Sequence, residues 1–366
     1  MTDRTKRSEL FPGEQLIETN GLPVLAYRRT GLAATPLVVF LTGGGILARI
    51  AYGHPDGNAH DFLDHWLADL GWGLIAASYP CDHPLFDQLG AGLQLDTWAR
   101  MQAVLVAEAI DMYGQRPIVA AGWSMGGRLV FALTRALRQH GLRLDCFVSL
   151  CGTPPFPRLT KEETPPERLL PNGLWDLASG RRDGTSRDER WLAELAVAAK
   201  REGRAVISPS AFADAYRVNV PHGLWGPELE PYFGNEPQQD RLNSLLLAGS
   251  FSGEDYPVCA AIVPLDRSDF RHALSDQAVW GEITVKGLVN NRMNAGAIVG
   301  LSEEQWAWLR EFVIESPKRL TRYLSGGHFF FVGETGAKRT ADLLRELHTE
   351  VVRLEGMLIE CQMSPQ

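Results

Sequence analysis

Cysteine is scarce in this sequence, and its spacing excludes the usual cysteine-based sites. Five cysteines occur among 366 residues, and none of them belongs to a Cys-x-x-Cys pair. An odd number of thiols without paired spacing argues against a disulfide framework and against a zinc or redox motif. The first 14 residues are polar and lack the apolar stretch of a signal peptide. We therefore expect a cytoplasmic protein with reduced thiols.

Long apolar runs and basic clusters are also missing. No stretch of about 18 apolar residues appears, so the sequence predicts no membrane span. The formal net charge is -8, and no long run of lysine and arginine interrupts the acidic balance. Such a chain gains no electrostatic advantage from binding nucleic acid or anionic lipid. We expect neither nucleic acid nor a membrane as a partner.

The sequence does contain an alternation of short apolar runs and longer helical patterns. A continuous apolar run followed by a helix, repeated several times, is typical of a parallel sheet covered by helices on both faces. The handedness of such crossovers is nearly fixed, which leaves few possible topologies. The predicted strands of this first part are 22–27, 37–41, 73–78, 117–121 and 146–150.

Residues 153–252 interrupt the alternation and are predicted to form a helical lid insertion. The segment is too long for a structureless loop in a compact domain. It separates a first core part, 1–152, from a second, 253–366. Lid helices are expected at 187–200, 210–218 and 240–247, and the second core part is expected to contain strand 257–263, an irregular stretch at 267–301, helix 302–314, strand 320–324 and helix 337–354.

The strongest motif is Gly-Trp-Ser-Met-Gly at 122–126, which fits the pattern G-x-S-x-G. It follows a predicted strand and precedes a predicted helix, as a nucleophile elbow requires. Glycine is needed on both sides because larger side chains would collide with neighbouring backbone. The motif predicts Ser124 as a nucleophile in an α/β-hydrolase fold, with a mostly parallel central sheet flanked by helices.

His328 is the best candidate for the catalytic base. On this fold the triad runs serine, acid, histidine along the chain, which excludes the histidines before Ser124. His328 follows the last predicted strand, after two glycines and before three phenylalanines, in the segment GGHFFF. The glycines allow a close approach to the serine, and the phenylalanines would anchor the loop. His222 and His272 fall outside the predicted core elements.

These segments resemble the thioesterases of polyketide and nonribosomal peptide pathways. GWSMGG is similar to their elbow, GGHFFF to the segment around the catalytic histidine of the stand-alone type, and FLTGGG to the turn after the third strand. The resemblance covers roughly 36–152 and 255–350. It implies an acyl thioester or ester substrate, an acyl or peptidyl carrier protein as a partner, and no cofactor. The long insertion departs from the compact stand-alone enzymes.

The acid of the triad is the least determined residue. Asp266 is the first choice, because it lies nine residues after Pro257, where the family pattern places its acid. Asp269 is the second choice. In integrated thioesterase domains the acid often follows the strand after the elbow, and Cys151 occupies that position here. A further alternative makes 282–289 the preceding strand, which ends in Asn290 and leaves the acid unassigned.

The oxyanion hole is predicted from two backbone amides. One is that of Met125, directly after the serine, and the other comes from the turn at 42–46, for which Gly44 is the choice. A phosphate-binding role for the three glycines is disfavoured because no Gly-Lys-Ser/Thr follows. His54, His60 and His65 lack metal-site spacing. We therefore expect neither a metal nor a cofactor.

The combined prediction is a serine acyl hydrolase. The leading hypothesis is a thioesterase that releases an acyl or polyketide chain from a carrier thioester through Ser124, His328 and Asp266. A carboxylesterase or acyltransferase acting on small esters is the first alternative. A catalytically silent fold used for binding is the second, since function depends on the site and not on the fold.

Overall fold

The computed structural model describes residues 9–156, 168–177, 181–182, 185–225, 245–252, 255–293 and 295–363. Its centre is an eight-stranded sheet in the order β1-β2-β4-β3-β5-β6-β7-β8. β2 pairs antiparallel with β1 and β4, and the other neighbours are parallel. The strands are β1 (Glu14–Thr19), β2 (Leu22–Arg29), β3 (Leu37–Leu41), β4 (Gly73–Ser78), β5 (Ile118–Trp123), β6 (Cys146–Leu150), β7 (Val258–Pro264) and β8 (Thr321–Leu324).

Helices flank this sheet and explain why its inner strands are buried throughout. Every residue of β3, β4, β5, β6 and β7 is buried, as expected for a sheet covered on both faces. None of the described helices has the length and apolar composition needed to cross a membrane. The long helices are α1 (Leu63–Asp69), α2 (Leu95–Tyr113), α3 (Val130–Gln139), α4 (Arg187–Glu202), α5 (Phe270–Arg292), α6 (Glu303–Arg319) and α7 (Glu334–Met363).

This strand order, with a serine turn directly after β5, is the predicted α/β-hydrolase fold. β3, β4 and β6 have the predicted bounds. The N-terminal strand β1 was not predicted from its polar sequence. Asn20 and Gly21 have positive φ values of 52° and 73° between paired residues Thr19 and Leu22. Asn-Gly at such a turn is the hairpin signal that could have revealed the strand.

Helix α5 replaces the irregular stretch predicted at 267–301. The face of α5 that packs on β7 contains Trp280, Ile283, Thr284 and Leu288, all buried. These residues follow the helical spacing i, i+3, i+4, i+8. The hydroxyl of Thr284 also donates a hydrogen bond to the carbonyl of Cys259 on β7. The alternative in which 282–289 is a strand is therefore wrong, because tertiary packing selects the helical period.

The connection between β6 and β7 contains the predicted helix at 187–200, observed as α4. The helix begins with a capping box formed by Ser186 and Glu189 and ends at Gly203, whose φ is 68°. Most of the helix expected at 210–218 is helical in the structure, as a single α-helical turn, Pro209–Ala211, followed by a π-helix, Phe212–Tyr216. The helix expected at 240–247 falls mostly outside the described residues. The boundaries of the insertion at 153 and 252 remain predictions.

Candidate active site

Ser124 lies on a tight turn between β5 and the 3-10 helix Ser124–Leu129. Its φ is 51°, in the left-handed region that non-glycine residues rarely adopt. A Cβ on Gly126 would collide with the carbonyl oxygen of Leu41, and one on Gly122 with the ring of Phe147. The glycines at both positions are thus required by close packing. This is the geometry predicted for a nucleophile elbow.

His328 is hydrogen-bonded to Asp269, not to Asp266. The Nδ1 atom of His328 lies 2.7 Å from Oδ2 of Asp269, which is buried. Asp266 is exposed, and its Oδ1 accepts a hydrogen bond of 2.9 Å from the Ser268 amide. The structure therefore places Asp269, the second choice, and not Asp266 beside the histidine. A 3-10 turn at Arg267–Asp269 follows β7 and brings its last residue, Asp269, to the histidine, whereas Asp266 is the N-cap of the turn.

The loop that carries His328 is anchored beside the elbow, as the phenylalanine-rich segment predicted. Nε1 of Trp123 donates a hydrogen bond of 2.9 Å to the carbonyl of His328. The Trp123 ring also packs edge-on against Phe329 and Phe331, with centroids 5.1 and 5.4 Å away. Because Trp123 precedes Ser124 directly, this contact joins the histidine loop to the serine turn.

Asp269 is suited to orient a histidine because it stays ionised. Burial alone would raise its pKa, but the neighbouring His272 and His328 hold the pKa well below its usual value. A carboxylate that accepts from Nδ1 of His328 fixes the imidazole in the tautomer whose Nε2 is unprotonated. Asp269 therefore has the protonation state and the geometry of an orienting acid.

Cys151 also lies beside His328. The two chain positions at which the sequence could place the acid, after β6 and after β7, therefore meet at this histidine. Its Sγ atom, a carboxylate oxygen of Asp269 and a ring nitrogen of His328 lie within 4.8 Å of one another. Burial raises the pKa of the thiol well above its usual value, and the thiol is hydrogen-bonded to Asp269. Cysteine, aspartate and histidine are also metal ligands. A protonated thiol and a carboxylate already bonded to the imidazole fit a triad better than a metal centre.

The turn after β3 contacts Ser124 through its glycines. A Cβ on Gly43 would lie 3.0 Å from Cβ of Ser124. The amide of Gly45 donates to the Tyr79 hydroxyl at 2.8 Å, and that hydroxyl donates to the carbonyl of Gly43 at 3.2 Å. Within the described part of the chain, no hydrogen bond engages the amides of Gly44 or Met125. The oxyanion-hole roles of these two amides remain predictions.

Helix α4 lies against the histidine loop from the other side. A Cβ on Gly327 would collide with the carboxylate of Glu194, which also accepts a hydrogen bond from Ser268. Burial raises the pKa of Glu194. Arg201 donates to the carbonyls of Ser325 and Val332, at 3.3 and 2.9 Å. No sequence pattern indicated these contacts, because they depend on how the helix packs.

Two tryptophans of the connection between β6 and β7 belong to the buried core. Trp175 and Trp191 are buried, and Trp191 packs against Phe212 with centroids 6.1 Å apart. A Cβ on Gly45 would lie 2.8 Å from the Trp191 ring, so this ring reaches the turn beside the serine. The side chain of Trp225 lies outside the described residues.

Searches against known proteins return structural similarity at low identity. A peroxisomal alpha-beta-hydrolase from Saccharomyces cerevisiae aligns with a TM-score of 0.45 and 13% identity, over 94% of this chain and 83% of that one. An epoxide hydrolase from Vigna radiata aligns at 0.44 and 14%, over 91% and 96%. The thioesterase domain from the curacin biosynthetic pathway aligns at 0.42 and 13%, over 91% and 98%. No protein-family model and no curated protein matches the chain.

Proposed function

We propose that the protein is a serine acyl hydrolase in which Ser124, His328 and Asp269 form the catalytic triad. The observation that carries the proposal is the 2.7 Å bond between His328 and Asp269 beside a serine with a φ of 51°. The serine turn and the histidine loop are joined through Trp123. The amide of Ser124 also donates to the carbonyl of Cys151 at 3.1 Å, and the Cys151 thiol lies at the His328–Asp269 pair.

The proposed reaction proceeds through an acyl-enzyme. Nε2 of His328 accepts the proton of Ser124 as the Ser124 oxygen attacks the substrate carbonyl carbon. The resulting oxyanion is stabilised by the amides of Met125 and Gly44. The imidazolium returns the proton to the departing thiolate or alkoxide as its bond to carbon breaks. Water then attacks the acyl-enzyme with His328 as the base, releasing a carboxylic acid and restoring Ser124.

The proposed substrate is an acyl thioester on a carrier. The support is the resemblance of GWSMGG and GGHFFF to the thioesterases of polyketide and nonribosomal peptide pathways. We further propose that the connection between β6 and β7 serves as a lid. Its helix α4 is fastened to the histidine loop by Arg201, and its Trp191 reaches the glycine turn.

Hydrolysis of a matched pair of substrates tests this function. An acyl pantetheine thioester and the corresponding oxygen ester are compared for kcat/KM, with Ser124→Ala as the control. The proposal predicts turnover of the thioester at least about tenfold faster than the oxygen ester, and loss of both activities in Ser124→Ala. Faster hydrolysis of the oxygen ester would show that the protein is a carboxylesterase and not a thioesterase. Activity that survives in Ser124→Ala would overturn the serine mechanism.

A further inference from the structure

A second histidine–aspartate pair is buried behind the proposed acid. His272 and Asp276 occupy positions i and i+4 of α5, and Nδ1 of His272 lies 2.9 Å from Oδ1 of Asp276. The two residues are only 5% and 0% exposed. Charged side chains at this depth require partners, and each is the other's partner. The two side chains therefore form a buried ion pair in the protein interior, not a surface ion pair.

The pair is in contact with the triad on one side and with the segment after β6 on the other. The rings of His272 and His328 have centroids 5.8 Å apart. The hydroxyl of Ser149 lies 3.5 Å from Oδ2 of Asp276 and accepts a 2.8 Å hydrogen bond from the Gly152 amide. A Cβ on Gly152 would lie 2.9 Å from the carbonyl of Gly122, so this segment packs on the elbow.

We infer that His272 and Asp276 are positioning residues that place a positive charge beside Asp269 and thereby set the proton affinity of His328. The inference rests on the proposed triad. Neither residue contacts the reacting atoms in this role, because both act through Asp269. The known triad logic requires only one histidine and one acid, and this second pair is additional to it.

The charges around the pair give the sign of its effect. Burial lowers the pKa of His272, but Asp276 and Asp269 raise it above its usual value, while burial raises the pKa of Asp276. The two carboxylates thus favour the protonated form of His272, whose imidazole is the end of the pair nearest His328. A positive charge at that end favours the ionised form of Asp269, and its removal would strengthen the attraction between Asp269 and an imidazolium.

Other titratable groups also face His272, Asp276 and Asp269, and a test must leave these groups unchanged. They are Cys151 at the end of β6, Glu194 on α4, Asp266 in the turn after β7 and Arg271 on α5. Substitutions at His272 and Asp276 leave all four in place. A change in the titration of His328 then reports the pair itself.

The test is a nuclear magnetic resonance titration of the His328 imidazole in full-length protein, together with the pH dependence of kcat/KM. The variants are His272→Gln, Asp276→Asn and the double variant. All substitutions introduce polar groups of similar size, and the double variant leaves no buried charge unpaired. His272→Gln and the double variant remove the positive charge. In both, the pKa of His328 should rise by about one unit, and the acidic limb of the kcat/KM profile should move to higher pH by the same amount. His348→Gln, at a half-buried histidine of α7, is the matched control and should cause no shift.

The outcomes separate the inference from the proposed function. Thermal unfolding identifies any single variant that fails to fold, and the double variant then carries the test. A His328 titration that is identical in the wild type and the double variant would overturn the inference, even if the enzyme is active. A shifted titration in a protein without hydrolytic activity would uphold the electrostatic inference and refute the proposed function.

Discussion

Ser124 adopts a left-handed backbone conformation that costs a non-glycine residue roughly 1–2 kcal/mol. Cys151, at the end of the neighbouring strand β6, has the same φ of 51°. The two strained residues support each other, because the Ser124 amide donates to the carbonyl of Cys151. The carbonyl of Ser124 in turn accepts a 2.7 Å bond from the Thr153 amide. Strain of this kind persists only where surrounding contacts determine the backbone, as they do here.

Substitution at the elbow glycine Gly126 tests this close packing. Gly126→Ala should lower the free energy of unfolding by about 1–3 kcal/mol, because its Cβ would collide with the Leu41 carbonyl. Chemical denaturation measures the loss. Gly356→Ala is the matched control, since no atom lies within 4 Å of its Cβ and the residue is inside α7. At that helix position, alanine should raise the free energy of unfolding by about 0.5–1 kcal/mol. Equal effects at the two glycines would contradict the packing described.

Helix α4 is the element that ties the β6–β7 connection to the site. Beyond the Arg201 contacts, Glu202 accepts a 3.1 Å bond from the Thr335 amide, and Arg204 forms an ion pair with the buried Asp61. The helix was predicted from its amphipathic spacing. Its partners were not, because Asp61, Ser325 and Thr335 are brought together only by the tertiary fold.

Removal of the Arg201 guanidinium tests the tether. Arg201→Met retains most of the aliphatic stem, but removes the two hydrogen bonds to the histidine loop. We expect a loss of about 1 kcal/mol in the free energy of unfolding, since the side chain is partly exposed. Amide hydrogen exchange at 325–333 should also become faster. Lys200→Met, at the exposed neighbouring residue, is the control. Unchanged exchange in Arg201→Met would show that α4 does not restrain the loop.

At the scale of the whole molecule, the core was the most predictable part. Short apolar runs located β3, β4 and β6 to the residue, and the elbow motif identified the fold. The acid was not determined, because a single 3-10 turn decides whether Asp266 or Asp269 faces His328. The His272–Asp276 pair was missed for a related reason. Its spacing of four residues has meaning only on a helix, and that segment was expected to be irregular.

The topology also explains why such distant residues meet. The elbow follows β5, Cys151 follows β6, Asp269 follows β7 and His328 follows β8, and these four strands are neighbours in the sheet. Because they are parallel, their carboxyl ends lie on one edge. Segments far apart in the chain therefore converge, as Trp123 and His328 do across 205 residues. Sites of open α/β sheets form at this edge.

The most direct measurement is the rate of covalent labelling by a fluorophosphonate probe, read by intact mass. The wild type, Ser124→Ala, Asp269→Asn and Asp266→Asn are compared at neutral pH. The account predicts one added label in the wild type, none in Ser124→Ala, and labelling slowed by about a hundredfold or more in Asp269→Asn. Asp266→Asn should stay within about twofold of the wild type, because its carboxylate only caps a turn. An unlabelled wild type, or strong slowing by Asp266→Asn with none by Asp269→Asn, would contradict the proposed triad.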